Sequence, residues 1–299
     1  LYDDYHVFER KGAVTLPYKK TKNMKKIVFP TDFSEVATNA FRYALELAKQ
    51  YHAEIILLHT YELPIVDHQF APQNYKTLFD SLELINFDRF KEEAAKLKEI
   101  VVKHKAEKVR LSHALRDGDL VFNLKELIRE EQADFVVMGT AGASGWSEYF
   151  LGTNTTEAIS NLNVPVLSVP KEATFTGIET IAFTTRFREK DKKALQEVLH
   201  LAKGLQAKVK CLYVETQDTD NTPATYEDWK SHFALEPVQF HIIPNDDVEA
   251  TITDFISGNN VDVLAMMTYK KGFFAQLFAQ SFTEKMANHL SIPVLALHE

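Results

Sequence analysis

Cysteine is nearly absent from this chain: its 299 residues hold one, Cys211. No intrachain disulfide and no cysteine-based zinc site can form, and a reducing compartment is the simpler expectation. Cys211 lies in the apolar stretch 209–214, where a buried thiol is expected and a reactive one is the alternative. Long apolar runs are also lacking: none approaches the ~18 residues of a membrane-spanning helix. The first residues lack the apolar core of a secretion signal. A soluble, cytoplasmic chain without membrane partners is the expectation. There is no basic excess either, with 34 Lys and Arg against 42 Asp and Glu, a net charge of −8. The balance is +2 over residues 1–23 and −5 over each of 24–170 and 171–299. Neither large segment carries the positive field of a general nucleic-acid binder.

Several catalytic signatures are missing. The 11 histidines form no H-E-x-x-H motif and no tight cluster with carboxylates, so no metal site is nominated. His59, His113 and His241 fall within predicted strands and are expected as satisfied core or strand-end residues. G-x-S-x-G is absent, which disfavours an α/β-hydrolase. G-x-G-x-x-G and Gly-Lys-Ser/Thr are absent too, which disfavours a hydride-transfer enzyme and a Walker NTPase.

What is present is ordinary globular composition, 45% hydrophobic and 25% charged. The length suits about two domains of ~100–200 residues each. Residues 1–23 show no sustained period and end where a strongly patterned stretch begins at Met24. They are expected to be a leader outside the fold; the alternative is an arm docking through Tyr2, Tyr5, Phe8 and Tyr18. From Met24 the pattern alternates. Apolar runs at Lys25–Thr31, Ala53–Tyr61, Val109–Leu115, Ala133–Gly139 and Val164–Val169 read as buried strands. Helical spacing covers Ser34–Tyr51, Ser81–His104, Leu120–Glu131 and Thr155–Asn161. In the second of these, Leu84, Phe87, Phe90, Ala94, Leu97 and Val101 share one face. Alternation predicts an α/β fold with a parallel sheet covered on both faces.

The series then repeats. Ile27-Val28-Phe29 matches Ile181-Ala182-Phe183 at a shift of 154, which persists to Leu58 against Leu212. Further on the shift is 128, as in Asp134-Phe135-Val136 against Asp262-Val263-Leu264 and Val164-Pro165-Val166-Leu167 against Ile292-Pro293-Val294-Leu295. The second copy is 26 residues shorter. Two domains follow, residues 24–170 and 178–299, each a five-stranded Rossmann-like sandwich with expected strand order 3-2-1-4-5.

The chemistry concentrates in one loop, GTAGASGWSEYFLGTNT at 139–155, with Gly139, Gly142 and Gly152 spaced G-x2-G-x9-G-T. It leaves a strand end, where open parallel sheets bind ligands, and enters a helix N-terminus, which attracts anions. Glycines let backbone approach a phosphate closely; the bland alternative is a flexible loop with a Gly-Thr cap. In the expected order, the turn Pro30-Thr31-Asp32-Phe33-Ser34 faces the same crevice. Asp32 could accept hydrogen bonds from a base or ribose, or cap its helix through an Asp32-x-x-Glu35 box.

KKIVFPTDFSE at 25–35, the glycine loop and the closing VPVLSVP at 164–170 together resemble the universal stress protein family in its tandem form. The resemblance covers Met24 to Glu299. It implies an α/β fold with five parallel strands per domain and, for the first domain, the ATP-binding branch. It puts Asp32 at the adenosine and Gly139, Gly142, Gly152 and Thr153 around the ribose and phosphates. Pro30, Thr31, Thr60 and Met138 would line the adenine pocket, partly through backbone; Asn154 and Thr155 would complete the phosphate end. No basic residue lies between Gly139 and Gly152, and Glu148 does, so Mg²⁺ or backbone donors would have to offset the phosphate charge. The second copy carries Arg186 for Asp32 and Met267, Lys270 and Gln280 for the three glycines. It is expected to be structural or dimer-forming and not to bind ATP in this way; Lys270-Lys271 could hold another anion or be a solvated basic loop. Val164–Val169 and Ile292–Leu297 could pair within one chain as a pseudo-dimer, with a homodimer also open. The insert Glu62–Tyr75 reads as a lid or a surface loop, and Gln217–Glu227 as a solvated loop.

Three functions are thus in view. The first is an ATP-responsive stress module acting on unidentified protein partners. The second is a slow ATPase, for which no general base is nominated. The third is a nucleotide-free scaffold.

Overall fold

The structure, a computed structural model, describes residues 24–62, 75–140, 153–217, 223–268 and 292–298. Residues 1–23, most of the 62–75 insert, Gly142, Glu148, Gly152, Lys270, Lys271 and Gln280 lie outside them. The first copy runs β1 (Lys26–Pro30), α1 (Glu35–Tyr51), β2 (Glu54–Tyr61), α2 (Tyr75–Lys103), β3 (Leu111–Asp117), α3 (Leu120–Glu131), β4 (Phe135–Gly139), α4 (Thr153–Asn161) and β5 (Val166–Val169). The second runs β6 (Thr180–Thr184), α5 (Glu189–Leu205), β7 (Lys208–Glu215), α6 (Pro223–His232), β8 (Val238–Pro244), α7 (Val248–Gly258), β9 (Val263–Met267) and β10 (Val294–Leu297).

All ten described strands form one mixed sheet, ordered β3-β2-β1-β4-β5-β10-β9-β6-β7-β8. Each half has the expected 3-2-1-4-5 order with parallel pairing. The halves meet at one antiparallel pair, where Val294, Leu295 and Ala296 face Ser168, Leu167 and Val166. Alternate side chains feed opposite faces. Ile27, Phe29, Ile55 and Leu57 pack with the apolar sides of α1 and α2, whereas Val28, Ile56 and Leu58 pack with those of α3 and α4.

The seam extends into the helices. The Ser168 hydroxyl donates to the Val294 carbonyl at 3.1 Å. The Tyr51 hydroxyl of α1 donates to the Leu201 carbonyl of α5 at 2.5 Å, and Gln50 Nε2 donates to the Gly204 carbonyl. Tyr43, also on α1, stacks edge-on to Phe175 of the connecting segment, with centroids 4.9 Å apart. Its phenol is pushed up to about 12 by burial and then by the Asp262 carboxylate of the second copy.

Three local expectations need correction. The α1 cap is Ser34, whose hydroxyl accepts from the Ala37 N–H at 3.2 Å; Asp32 instead closes a turn by accepting from the Ser34 N–H at 3.0 Å. Next, α2 begins at Tyr75, not Ser81, and its predicted face is only half covered. Phe90, Ala94, Leu97 and Val101 are buried, but Leu84 is 60% and Phe87 52% exposed. A 29-residue helix is ~43 Å long, against ~25 Å for the eight-residue β2, so the sheet cannot cover it throughout. Last, residues 223–227 belong to α6 and not to a solvated loop. Pro223 suits a first helical position, and Trp229 anchors the helix at 1% exposure. No helix among the described residues is long and apolar enough to cross a membrane.

Candidate functional site

The site lies where the winding of the first half reverses, between β1 and its neighbour β4. Ile27 pairs with Phe135 and Val28 with Val136, so the carboxyl ends of both strands emerge side by side. Open α/β sheets bind ligands at such a crevice. Pro30 ends β1 and is buried; Thr31 is buried and Asp32 exposed. Thr60 is half-buried near the end of β2, on the far side of β1. Met138 sits one residue before the end of β4. Its side chain belongs to the apolar cluster under α3 and α4, so only its backbone is available to a ligand.

Two helix N-termini converge on Gly139. From one side comes α1: a β-carbon on Gly139 would lie 2.9 Å from Val36 Cγ1 and 3.2 Å from the Val36 carbonyl carbon. Both the side chain and the backbone of Val36 would have to shift to admit a β-carbon, so packing favours glycine here. From the other side comes α4: the Thr155 hydroxyl donates to the Gly139 carbonyl at 3.0 Å. That donor is committed to the protein, and what Thr155 can offer an anion is its backbone N–H. Thr153 opens the helix and Asn154 is exposed beside it. First-turn N–H groups have no intrahelical acceptor, and the helix dipole makes this end positive. The donor set therefore fits a phosphate chain, and it does so without a lysine. Among the described residues no cluster of His, Cys, Asp or Glu could hold a metal ion.

The β1–α1 turn that carries Asp32 is tightly constrained. Phe33 has φ 61°, the left-handed region that costs a bulky residue about 1–2 kcal/mol. The Phe33 N–H donates to the Thr31 hydroxyl at 3.0 Å. The Thr31 N–H donates to the Leu58 carbonyl at 2.8 Å. His59 Nδ1 donates to the Thr31 carbonyl at 2.7 Å. This turn was visible in the sequence as Pro-Thr-Asp. The anchoring role of His59 was not, because a strand-end histidine carries no spacing signal.

The second copy keeps the turn and changes its chemistry. Phe187 repeats the left-handed conformation at φ 54°, and its N–H again meets a threonine hydroxyl, Thr185 Oγ1, at 2.8 Å. Arg186 replaces Asp32. Below it, Asp191 at the third position of α5 is fully buried. Its carboxylate accepts from Thr185 Oγ1 at 2.9 Å, from the Arg186 N–H at 2.9 Å and from the Arg188 N–H at 3.4 Å. Met267 takes the place of Gly139 at 3% exposure. Cys211 is buried beneath this turn, and burial followed by the Asp191 charge pushes its thiol well up, which makes it inert.

Comparison with known proteins identifies the family and the fold. The profile of the universal stress protein family matches residues 23–170 and 177–298. One universal stress protein of Methanocaldococcus jannaschii is 35% identical over 150 residues, spanning 49% of this chain and 82% of that protein. A second from the same organism is 26% identical over 163 residues, 50% of this chain and 96% of its own length. The crystal structure of a universal stress protein from Archaeoglobus fulgidus shares the fold with a TM-score of 0.67 at 18% identity, covering 91% of this chain and 98% of that one. A Pseudomonas aeruginosa structure does so at 0.60 and 12% identity, covering 92% and 93%.

Proposed function

The chain belongs to the universal stress protein family as two domains in tandem, and from that premise we propose that its first domain binds ATP or a related adenine nucleotide. The observation that carries this reading is the convergence of the α1 and α4 N-termini on Gly139, beside the exposed Asp32. Two positive helix ends suit an anionic phosphate chain, and a carboxylate next to them suits ribose or base donors. Pro30, Thr31, Thr60 and the Met138 backbone supply the adjoining walls. Thr153, Asn154 and Thr155 supply first-turn N–H groups. Mg²⁺ bound with the nucleotide would offset the charge that no basic residue of the glycine loop neutralises. The second domain has a methionine side chain where that backbone must be approached and a resident carboxylate under its turn. Its role is to complete the sheet and hold the tandem assembly together.

Isothermal titration of the full chain with ATP tests this. Binding that is lost in Gly152→Val supports the reading, and a chain that binds no ATP overturns it. Mass spectrometry of purified protein for a co-purifying nucleotide is an independent check. A nucleotide-free interaction scaffold is the second reading, favoured by the exposed Leu84, Ile85 and Phe87 on α2. It gains if titration shows no ATP binding while Leu84→Ser/Phe87→Ser abolishes capture of a partner.

A further inference from the structure

His59 touches the Asp32 turn at two points. Its Nδ1 lies 2.7 Å from the carbonyl oxygen of Thr31, the oxygen of the peptide that leads into Asp32. A carbonyl only accepts, so Nδ1 carries the proton. The imidazole also packs against the ring of Phe33, the residue after Asp32, with centroids 5.1 Å apart at 43°. The imidazole also stacks on Phe90 of α2 at 6.1 Å and 22°, and Phe90 in turn meets Phe33 edge-on at 5.8 Å, so the three rings form one cluster. The acid is therefore bracketed: His59 fixes the peptide before it and seats the side chain after it.

The second copy supplies a natural control. Tyr213 occupies the position of His59, and its ring packs on Phe187 at 4.7 Å, so the aromatic contact is kept. A tyrosine has no ring nitrogen to donate. There the turn is held from the helix side by Asp191, whose carboxylate takes the Arg186 N–H. The aromatic seat is thus common to both copies. The imidazole bond accompanies the copy in which an acid, and not Arg186, occupies the turn.

We propose that His59 is a positioning residue of the first domain, aiming Asp32 at the adenosine half of the nucleotide through its bond to the Thr31 carbonyl. The proposal rests on the nucleotide reading above. It separates two parts of that site: the adenosine end depends on His59, and the phosphate end at Gly139 and α4 does not.

The test uses the full chain and three probes: ATP, adenosine and inorganic tripolyphosphate. His59→Tyr copies the residue that the second copy accommodates; His59→Phe serves if the extra hydroxyl prevents folding. Either should weaken ATP and adenosine by about tenfold and leave tripolyphosphate unchanged. His59→Asn, which returns an N–H donor near Nδ1, should recover most of the loss. In an Asp32→Ala background, His59→Tyr should add nothing further, because both act through one contact. Equal losses for ATP and tripolyphosphate, or additive losses with Asp32→Ala, overturn the proposal. So does a variant that binds adenosine as the wild type does. A wild-type chain that binds no ATP overturns the nucleotide reading and this proposal with it. A wild type that binds ATP and is indifferent to His59 overturns this proposal alone.

Discussion

The two copies solve one mechanical problem with different chemistry. Each must turn from its first strand into its first helix through a phenylalanine held at positive φ, Phe33 or Phe187. Each closes the turn with a threonine hydroxyl accepting from that phenylalanine. Beyond this shared frame they part. In the first copy the small Ala37 stands in the helix, the cap is the Ser34 hydroxyl, and Asp32 reaches the surface. In the second, Asp191 takes the place of Ala37 and fills the turn from below with a buried carboxylate. A resident anion stabilises the N-terminus of α5 without any ligand. The difference teaches that a degenerate copy need not be a loosened one: the second domain has exchanged an open acid for an internal one.

The largest expected effect comes from removing that internal acid. Asp191→Ala would leave the buried Thr185 hydroxyl and the part-buried Arg186 N–H without their acceptor, a loss of about 3 kcal/mol. Denaturant unfolding should show it, and ATP binding should stay as it was. If Asp191→Ala unfolds at the wild-type midpoint, the contrast between the turns is only cosmetic.

Next comes the glycine that the second copy replaced. Gly139→Met imports Met267 from the second copy into a frame where a β-carbon meets Val36 at 2.9 Å and its backbone at 3.2 Å. Overpacking against backbone should cost about 2 kcal/mol. It should also remove ATP binding, because α1 and α4 can no longer close on one point. The stability loss is read from thermal unfolding and the binding loss from titration. Gly139 also shows what sequence could and could not reveal. Its place after a strand and before a helix was legible, because period and turn chemistry are local. So was the duplication, because apolar runs repeated at fixed shifts, whereas the pairing of the final strands of the two copies was expected only through the family resemblance. That Val36 crowds this glycine was not legible, since contact across elements leaves no mark on spacing. Asp191 was hidden for the same reason. A first-turn acid is ordinary in a helix, and only the overlying Phe187 turn makes this one buried. The exposed Leu84 and Phe87 were misjudged because periodicity reports a face but not how far the sheet extends beneath it.

The seam between the copies offers a third, smaller contrast. Gly204 lies on α5, and Gln50 is its counterpart on α1. A β-carbon on Gly204 would collide with the Tyr51 hydroxyl and lie 2.5 Å from its Cζ. Alanine at 204 should raise helix propensity yet displace Tyr51 from the Leu201 carbonyl, a net loss of about 1 kcal/mol. The sign should reverse when the ring is removed: in a Tyr51→Ala background, Gly204→Ala should stabilise. Thermal melts of the four chains form the cycle. Additivity would show that the two helices do not meet as described.

The smallest effect concerns acid. His298, after β10, has Pro170 as its counterpart in the first copy, so only the second copy carries a histidine at this point. Its Nε2 donates to the Ile159 carbonyl of α4 at 2.7 Å. Burial lowers its pKa below the ordinary 6.5, and its backbone interactions with Ile159 and Val164 only partly oppose that. The unfolded chain therefore takes up a proton at higher pH than the folded one. Stability from this residue is fully present above pH ~6.5 and is lost as pH falls from there through the folded value. His298→Asn keeps a donor for Ile159 and removes the titration. Between pH 7.5 and 5.5 the wild type should lose more in urea midpoint than the variant. His113 and His241, whose pKa values burial also lowers, respond equally in both chains and cancel in the comparison. Parallel losses in the two chains would mean that protonation does not strain the join between β10 and α4.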